Sequence, residues 1–327
     1  MMKFGVIGAG NIANTFCTTV NEADVDAKLY AIGSRSIEKA NQYKETYGFV
    51  KAYGSYTELF QDEEIDVIYI ATPHGLHYEQ MLEILDYKKH ILCEKSFTLN
   101  HNQAKEIFEK AKKQNVFIME AVWTRFLLTI KRLQELVKDG LIGDIVKVEA
   151  DFCFQADKND ENRLFNPSLG GGALLDVGIY PITFANLFMG IPSNITSKMK
   201  KHHTGVDLTE EILFTYPNGQ AILNASLGEN RPLKGLITGT KGYIDVKNFF
   251  YTEQAFIYDQ NNNLIKELHF PHEVNGFEYE IRETIDCINQ GKLESNILPH
   301  KETLSILKQM DELRASWNFT YPQEKEE

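Results

Sequence analysis

The segment KFGVIGAGNIA, residues 3–13, places the pattern G-x-G-x-x-A directly after an apolar strand-like run and at the opening of a helix. In this context Gly8 permits a tight turn, Gly10 lets the backbone approach a pyrophosphate, and Ala13 lets the helix pack closely on the strand. Glycine turns of this kind also occur without a nucleotide, but their place at the start of a βαβ pattern predicts dinucleotide binding through exposed amides and the helix dipole. The residues predicted to contact the dinucleotide here are Gly8, Ala9, Gly10, Asn11 and Ile12.

The end of the second strand-like run decides which dinucleotide is favoured. NAD needs an acidic residue there, to accept hydrogen bonds from the adenosine ribose. The chain instead reads AIGSRS over residues 31–36, so Ser34 offers a hydroxyl donor and Arg35 a permanent cation, both suited to a 2'-phosphate. The alternative is a surface arginine at the opening of a helix, with Ser34 or Ser36 as its N-cap. We therefore predict NADP as the cofactor, with NAD less favoured.

Outward from this segment, strand-like runs alternate with amphipathic helical stretches up to about residue 119, which is typical of βαβ units on a parallel sheet. Beyond Gly140 the runs are longer, and YPNGQ and DQNNNL indicate hairpin turns between them. We predict an α/β protein with a doubly wound parallel Rossmann domain over residues 1–122. Over residues 123–327 we predict an α+β domain with a large, mainly antiparallel open sheet and helices near 178–189, 277–290 and 301–315.

The composition limits the classes of partner. A formal charge of -12 argues against binding to nucleic acid or to an anionic membrane, because such surfaces need clustered lysine and arginine. We identify no apolar run that approaches the roughly 20 residues of a membrane helix, and no leader ahead of the first strand. We therefore expect no membrane segment and a cytoplasmic protein.

Neither the cysteines nor the histidines show the spacing of a metal site. The four cysteines lie far apart and form no CxxC pair, so we expect them to be reduced and without structural zinc. Two histidine pairs, His202 with His203 and HFPH at 269–272, could be imagined as ligands. No third ligand stands at a metal-site spacing from either pair, so a surface position is favoured and no metal is predicted.

Glu94 ends the run HILCE and Lys95 follows it, which places both at the carboxyl end of a buried strand, where open α/β sheets bind ligands. A lysine at such a place is, taken alone, more often a solvated strand end than a catalyst. The neighbouring run ends in ATPHGLH, whose side chains at the same edge are Thr72, Pro73, His74 and His77. The sequence therefore predicts a crevice of titratable groups beside the nicotinamide.

A second glycine run occurs in LGGGALLDVGIYPI, residues 169–182. It follows no parallel strand and precedes no Lys-Ser/Thr pair, so a second phosphate site is not expected. Pro181 is tolerated only in the first turn of a helix, which predicts that the helix begins near residues 177–180. Asp176 then lies at or just before the N-cap, and Tyr180 lies within the first turn. On the residues alone, a capping carboxylate and a packed ring explain them as well as catalysis does.

The ordered motifs GAGNIA, SRS, ATPHGLH, CEKSFTLN, MEAVWTRF and GGGALLDVGIYPI resemble the Gfo/Idh/MocA family of oxidoreductases. Within that family the resemblance is to the branch of dimeric dihydrodiol dehydrogenases and NADP-dependent xylose dehydrogenases. It runs from residue 3 to about residue 190, and its least generic parts are EAVWTRF and GGGALLDVGIY. One departure is Ser96, where the family usually has proline after the Glu-Lys pair.

The resemblance implies roles for particular residues. Lys95 would contact the nicotinamide ribose and the substrate, and Trp123 and Arg125 would lie beside the nicotinamide or the substrate. Interdomain packing is the alternative for Trp123. Most family members have Asp-x-Gly-x-His in the second motif, with the histidine as acid/base, whereas this chain has Asp176 and then Tyr180 in the place of the histidine. Family dimers form through the open face of the second-domain sheet, so a homodimer is expected.

The implied reaction is hydride transfer between C4 of NADP(H) and a carbinol or carbonyl carbon of a sugar or a cyclic diol. Tyr180 would take the hydroxyl proton with the aid of Lys95, or the two would exchange these roles, and Asp176 would orient a substrate hydroxyl. A tyrosine pKa of about 10 suits a base poorly at neutral pH, so this role requires a lower pKa, supplied by the ammonium and the oxidised nicotinamide. The alternatives are an enzyme that works mainly as a reductase and an NADP-binding sensor without turnover.

Overall fold

The computed structural model describes residues 1–157, 159–160 and 162–324. The chain forms two compact units. The first unit contains Met1–Val122 and Glu273–Leu304, and the second contains Trp123–His272 and the residues from Ser305 onward. The prediction assigned all of 123–327 to one domain, which needs correction because Glu273–Leu304 pack with the first unit. Side-chain contacts hold Glu273–Leu304 on the first unit. For example, His300 Nε2 lies 3.0 Å from the Ile118 carbonyl oxygen.

Fourteen strands occur in the described residues. In chain order they are β1 (Met2–Ile7), β2 (Ala27–Gly33), β3 (Lys51–Tyr53), β4 (Val67–Ile70), β5 (His90–Glu94), β6 (Ile118–Ala121), β7 (Ile145–Cys153), β8 (Asn194–Lys201), β9 (Asp207–Tyr216), β10 (Gly219–Ser226), β11 (Lys234–Gly239), β12 (Gly242–Val246), β13 (Gln254–Asp259) and β14 (Leu264–His269).

Nine α-helices occur over the same described ranges. They are α1 (Asn11–Glu22), α2 (Ile37–Tyr47), α3 (Tyr56–Phe60), α4 (His77–Asp86), α5 (His101–Gln114), α6 (Leu128–Lys138), α7 (Ile179–Met189), α8 (Phe277–Asn289) and α9 (His300–Ser316). The three helices predicted near 178–189, 277–290 and 301–315 are confirmed as α7, α8 and α9.

The sheet of the first unit is parallel and has the order β3-β2-β1-β4-β5-β6. Its central strand β4 is a continuous apolar run, VIYI, and all four side chains are buried. This is expected where helices cover both faces of a parallel sheet. The doubly wound prediction is confirmed.

The sheet of the second unit has the order β14-β13-β12-β11-β7-β10-β9-β8. Its neighbours pair antiparallel except β7 and β10, which run parallel. Both predicted hairpins are confirmed: YPNGQ joins β9 to β10, and DQNNNL joins β13 to β14. One face of the sheet is buried and packs against α7, and its fully buried residues include Val148, Ile237, Ile244 and Ile257.

The segment Pro167–Met189 is long and apolar enough to span a membrane, judged by length and composition alone. This corrects the expectation that no apolar run approaches that length. Within its most apolar window, 78% of the segment is buried inside the structure. A buried core helix also meets this criterion of length and apolar composition, because protein surrounds it on nearly every side and its side chains are therefore apolar all round. The absence of a membrane segment stays a prediction.

Candidate active site

The glycine loop between β1 and α1 has the geometry that the sequence predicted. Gly8 has φ +91°, and a Cβ there would lie 2.6 Å from the Ala71 carbonyl oxygen. Gly10 precedes α1 as its N-cap, and a Cβ at Gly10 would meet no atom within 4 Å. Ala13 is fully buried, so α1 packs closely on the sheet. Gly8 is thus required by the turn, whereas Gly10 leaves space beside the helix start.

The first turn of α1 is prepared for an anion. It contains no acidic residue, and no side chain caps its N-terminal amides. Those amides and the helix dipole favour negative charge. A pyrophosphate therefore fits at this end of α1, next to Gly10, which supports the assignment of a dinucleotide cofactor to the first unit.

The end of β2 places Arg35 on the surface and Ser34 in a buried position. Ser36, and not Ser34, is the N-cap of α2, because its hydroxyl accepts from the Lys39 amide at 3.2 Å. Ser34 Oγ accepts from the Ser36 amide at 3.3 Å. Arg35 acts electrostatically on Tyr56, which lies beside it. The cation predicted to contact a 2'-phosphate is thus exposed at the expected edge of the sheet.

The end of β4 is braced by a buried histidine. Both His77 ring nitrogens face backbone carbonyls, Nε2 that of Thr72 at 2.8 Å and Nδ1 that of Ser96 at 2.9 Å. Burial lowers the pKa of His77, which favours the neutral ring. Thr72 Oγ1 also contacts Gln80 at 2.5 Å. His77 therefore links the loops after β4 and β5. This structural role accounts for a histidine at position 77 without direct contact to a cofactor.

His74 and Pro73 form the 3-10 turn that follows β4. Pro73 caps this turn, and the buried His74 ring packs edge-on against His77 with centroids 5.8 Å apart. The structure therefore brings the predicted residues after β4 together at one edge of the first unit.

Lys95 follows β5 at the same edge and is half-buried. The preceding Glu94 is buried and accepts a hydrogen bond from the Tyr69 hydroxyl. The Lys95–Ser96 peptide bond is cis, at the place where the family usually has proline. Glu94 thus has a structural partner in the core of the first unit, while contact of Lys95 with a cofactor stays a prediction.

The second glycine run leads into α7, which begins at Ile179 within the predicted range, through a π-helical turn that was not predicted. A π-helical turn, Leu174–Gly178, precedes α7, and the Ile179 amide donates to the Leu174 carbonyl five residues back. Asp176 therefore lies inside this turn and not at an N-cap. The wider turn accommodates Pro181, which has no amide hydrogen for the ordinary pattern. Such turns are frequent at functional sites.

Asp176 is held by a partner, Arg163, that no sequence pattern predicted. Arg163 Nη1 donates to Asp176 Oδ1 at 2.9 Å, and the Asp176 carboxylate is 9% exposed whereas the arginine is half-exposed. The guanidinium neutralises a nearly buried carboxylate and fixes its orientation. Because the two residues are thirteen apart across a glycine-rich loop, no helical or strand spacing indicates the pair.

Tyr180 sits among aromatic rings of the second unit. Its ring centroid lies 5.6 Å from that of Phe152 and 5.1 Å from that of Phe250. Phe152 and Phe250 stack at 4.2 Å, and Phe154 lies 6.3 Å from Phe152. We call these four rings the aromatic cluster. It fixes the Tyr180 ring from two sides, so the hydroxyl is presented in a defined direction.

The 3-10 turn after residue 122 packs beside this cluster. Trp123 lies 6.2 Å from Phe250 and 6.3 Å from Tyr251, and Thr124 donates to the Phe250 carbonyl at 2.6 Å. Arg125 is buried, 5% exposed. Phe250 and Tyr251 were not among the predicted site residues, although the aromatic run in NFFYT, residues 248–252, is a signal that could have singled them out.

The histidine pair at 202–203 has an unexpected neighbour. Asp160 approaches both rings, with its carboxylate 2.6 Å from His203 Nε2 and 3.9 Å from His202 Nε2. One ligand atom from each of the three residues lies within 4.8 Å of the others. The third ligand that sequence spacing did not show is therefore supplied by the tertiary structure. The absence of a metal stays a prediction, since exposed groups of this kind are common without an ion.

Comparisons with known proteins extend over nearly the whole chain. Residues 2–122 match the profile described as oxidoreductase family, NAD-binding Rossmann fold, and residues 130–245 match that of the GFO/IDH/MocA C-terminal domain. The 3-ketoreductase KijD10 from Actinomadura kijaniata, solved in complex with NADP and TDP-benzene, has the same fold. It has a TM-score of 0.88 at 24% identity, covering 96% of this chain and 97% of that one.

Two curated relatives are similar over their full lengths. Trans-1,2-dihydrobenzene-1,2-diol dehydrogenase of Mus musculus is 32% identical, covering 99% of both chains. The D-xylose 1-dehydrogenase (NADP(+)) of Hypocrea jecorina is 33% identical, covering 98% of this chain and 93% of the relative. With the two family profiles and the ordered motifs, these similarities show that the chain belongs to the Gfo/Idh/MocA family of NAD(P)-dependent oxidoreductases.

Proposed function

We propose that the protein is an NADP-dependent oxidoreductase that acts on a CH–OH group of a sugar or a cyclic diol. The observation that carries this proposal is the placement of Asp176 and Tyr180 four residues apart, where the π-helical turn continues into α7, with the Tyr180 ring held in the aromatic cluster. A carboxylate that orients a substrate hydroxyl and a phenol that exchanges its proton are the two groups that such chemistry needs. The diol and xylose dehydrogenases among the relatives support the substrate class.

The chain divides the work among three side chains. During oxidation Tyr180 takes the proton of the substrate hydroxyl while the C–H bond breaks, and Lys95 keeps the phenolate charge stabilised through its ammonium group. Asp176, paired with Arg163, accepts a hydrogen bond from a neighbouring substrate hydroxyl. When bound, NADP⁺ supplies a hydride acceptor at C4 of its nicotinamide. The same groups run the reduction in reverse.

The aromatic cluster gives a reason for cyclic substrates. Flat apolar rings such as Phe152 and Phe250 suit the C–H faces of a sugar or a cyclohexadiene diol, while the hydroxyl groups of such substrates turn toward Asp176 and Tyr180. Apolar walls with few polar groups are the usual composition of small-molecule sites.

The direct test is a substrate panel. Purified protein with NADP⁺ and a set of aldoses, cyclic polyols and dihydrodiols should raise the absorbance of the reduced nicotinamide with at least one class. Silence across the panel in both directions, with cofactor binding intact, would favour the sensor over the enzyme.

Replacement of Arg35 by Ala tests the cofactor proposal. We expect the dissociation constant of NADP to rise about 100-fold, because charge-assisted contacts with a 2'-phosphate are worth about 2–3 kcal/mol. Binding of NAD should change less than about twofold, since it has no phosphate there. Lys39→Ala, one turn away on the exposed side of α2, is the matched control and should leave both constants unchanged. Equal losses of NADP and NAD in the Arg35 variant would remove the argument for NADP.

We also propose a homodimer through the open face of the second sheet. Leu213 and Ile222 pair across β9 and β10 on this face and are 37% and 36% exposed. Lysines on the edge strand β8, such as Lys198 and Lys200, oppose pairing of two chains through that edge. Exposed apolar rows of this kind mark interfaces.

Ile222→Lys should weaken this dimer about 100-fold, because twofold symmetry places two new charges in one interface. Sedimentation velocity over a concentration series measures the change. Ile191→Lys, in the exposed connection between α7 and β8, is the control and should keep the wild-type state. A wild-type protein that sediments as a monomer at every concentration would contradict the proposal.

A further inference from the structure

Two carboxyl groups are buried beneath the helical turn that carries Asp176. Asp207 and Glu210, both on β9, are fully buried. Residues three apart on a regular strand point to opposite faces. Here the register shifts, since Lys200 pairs with Thr209 whereas Lys201 pairs with Asp207, which leaves one extra residue on β9. This bulge changes the alternation of sides, so both carboxyl groups reach the interior.

The two carboxyl groups contact opposite ends of the π-helical turn. At its start, Asp207 Oδ2 accepts from the Leu174 amide at 2.6 Å. At its end, a Cβ on Gly178 would lie 3.1 Å from Glu210 Oε2. Just before the turn, Gly172 has φ +122°, and a Cβ there would lie 2.3 Å from Asp207 Oδ1. The glycines of the second run therefore allow the backbone to rest directly on these carboxyl groups.

The pair needs a proton to satisfy its buried oxygens. As carboxylates, Asp207 Oδ1 and both Glu210 oxygens meet no donor in good hydrogen-bond geometry in the described part of the structure, and the nearby Leu174 amide, which acts on Glu210 as well, already donates to Asp207 Oδ2. The two side chains lie within hydrogen-bonding range of each other, and a protonated Glu210 would donate to Asp207. Burial, followed by the neighbouring Asp207, raises the pKa of Glu210 well above its ordinary value.

The other groups that face the pair do not replace this proton. Cys153 on β7 is a buried thiol, and the Tyr321 hydroxyl donates to the Gly171 carbonyl at 2.8 Å. Arg314 lies 5.1 Å from the centre of the Tyr321 ring and is paired with Glu324 and Asp311. Its charge is thus directed to other carboxylates.

We propose that Asp207 and Glu210 form a hydrogen-bonded pair that holds one proton and sets the position of the π-helical turn, which makes them positioning residues for Asp176 and Tyr180. The part that concerns turnover rests on the proposed function. The shared proton and the position of the turn do not, and they are measured independently of activity.

The first experiment compares melting temperature against pH for wild type, Glu210→Gln and the control Glu211→Gln, whose side chain is exposed on the same strand. Glu210 has a folded-state pKa above its unfolded value of about 4.3, so its contribution to stability is complete below that pH and is lost as the pH rises toward the folded value. A glutamine keeps a donor for Asp207 and does not titrate. Glu210→Gln should therefore gain up to roughly 3–5 °C over wild type for each pH unit above about 4.5.

The second experiment uses Asp207→Ala, which removes the acceptor of the Leu174 amide. Hydrogen exchange should become at least about tenfold faster within residues 172–180 and stay unchanged in β13 and β14, because only the turn loses its anchor. In the active enzyme kcat should fall about 100-fold while the dissociation constant of NADP is retained, since small misplacements of reacting groups cost this much. Glu210→Gln should keep kcat within about threefold, because its amide preserves the contact.

Each outcome decides one part of the proposal. A Glu210→Gln protein whose melting curve runs parallel to that of wild type from pH 4.5 to 8 overturns the shared proton. Unchanged exchange within 172–180 in Asp207→Ala overturns the positioning role, and if that variant does not fold, Asp207→Asn, which keeps an acceptor, should restore both folding and slow exchange. Absence of turnover in wild type bears only on the proposed function.

Discussion

Tyr180→Phe should lower kcat by about 10³ and leave the dissociation constant of NADP unchanged, because only the hydroxyl that exchanges the substrate proton is removed. The fold should persist, since the ring stays between Phe152 and Phe250. Steady-state rates with the best substrate of the panel and fluorescence titration of NADP measure the two quantities.

The matched control for this change is Tyr216→Phe. Its hydroxyl donates to the Gly190 carbonyl at 3.2 Å, so the change removes a tyrosine hydroxyl with a structural contact. We expect kcat to be unchanged and stability to fall by about 1 kcal/mol. A Tyr180→Phe protein that keeps its kcat within about threefold would rule out the proton-transfer role.

The pH dependence distinguishes Tyr180 from Lys95 as the group that takes the proton. For oxidation by wild type, kcat/KM should rise with pH as the base loses its proton. If Tyr180 is the base, Tyr180→Phe loses this rise, and Lys95→Met moves it to higher pH because the stabilising ammonium is gone. If Lys95 is the base, Lys95→Met loses the rise and Tyr180→Phe retains it.

Alanine substitutions at the two glycines of the first loop should affect different properties: Gly8→Ala should lower stability, and Gly10→Ala should weaken NADP binding. Gly8→Ala should destabilise the protein by about 3 kcal/mol, because the new methyl group would lie 2.6 Å from the Ala71 carbonyl oxygen at a positive φ. Gly10→Ala should leave the melting temperature unchanged, since a Cβ there meets no atom within 4 Å. It should weaken NADP about 100-fold, because the methyl occupies space that the pyrophosphate needs.

Gly48→Ala measures the cost of a left-handed backbone conformation by itself, without the steric clash that Gly8→Ala adds. Gly48 has φ +77° but open space around its Cβ position, so only the left-handed conformation is penalised, by about 1 kcal/mol. Chemical denaturation of the three variants without cofactor, followed by titration with NADP, measures both effects. A Gly10→Ala protein that binds NADP as wild type does would contradict the placement of the pyrophosphate.

The fold and the first half of the site followed from local sequence patterns. The glycine loop, the cation after β2 and the lysine after β5 each follow a strand, and parallel strands present their carboxyl ends at one edge. The order of the motifs along the chain was therefore sufficient to place Gly10, Arg35 and Lys95 at the same edge of the first unit. The hairpin at YPNGQ could likewise be predicted from the sequence, because two-residue turns have strong residue preferences.

Contacts between distant segments were decided only by the tertiary structure. Arg163 contacts Asp176 across a loop. Phe250, on the connection between β12 and β13, packs against Tyr180. The return of Glu273–Leu304 to the first unit is of the same kind. Neither the period of a helix nor that of a strand relates such residues, so no pattern in the sequence indicates them.

The second glycine run shows the division most clearly. By itself the sequence determined that LGGGALLDVGIYPI leads into a helix, because Pro181 limits where regular helix can begin, and it predicts no phosphate loop there, because the Lys-Ser/Thr pair is lacking. Only the tertiary structure decided that the helix opens with a π-helical turn and that the glycines lie against Asp207. The physical reason is that a backbone can rest on a buried carboxyl group only where no side chain intervenes, and the residue that supplies this carboxyl lies on β9, 33 residues after Leu174 in sequence.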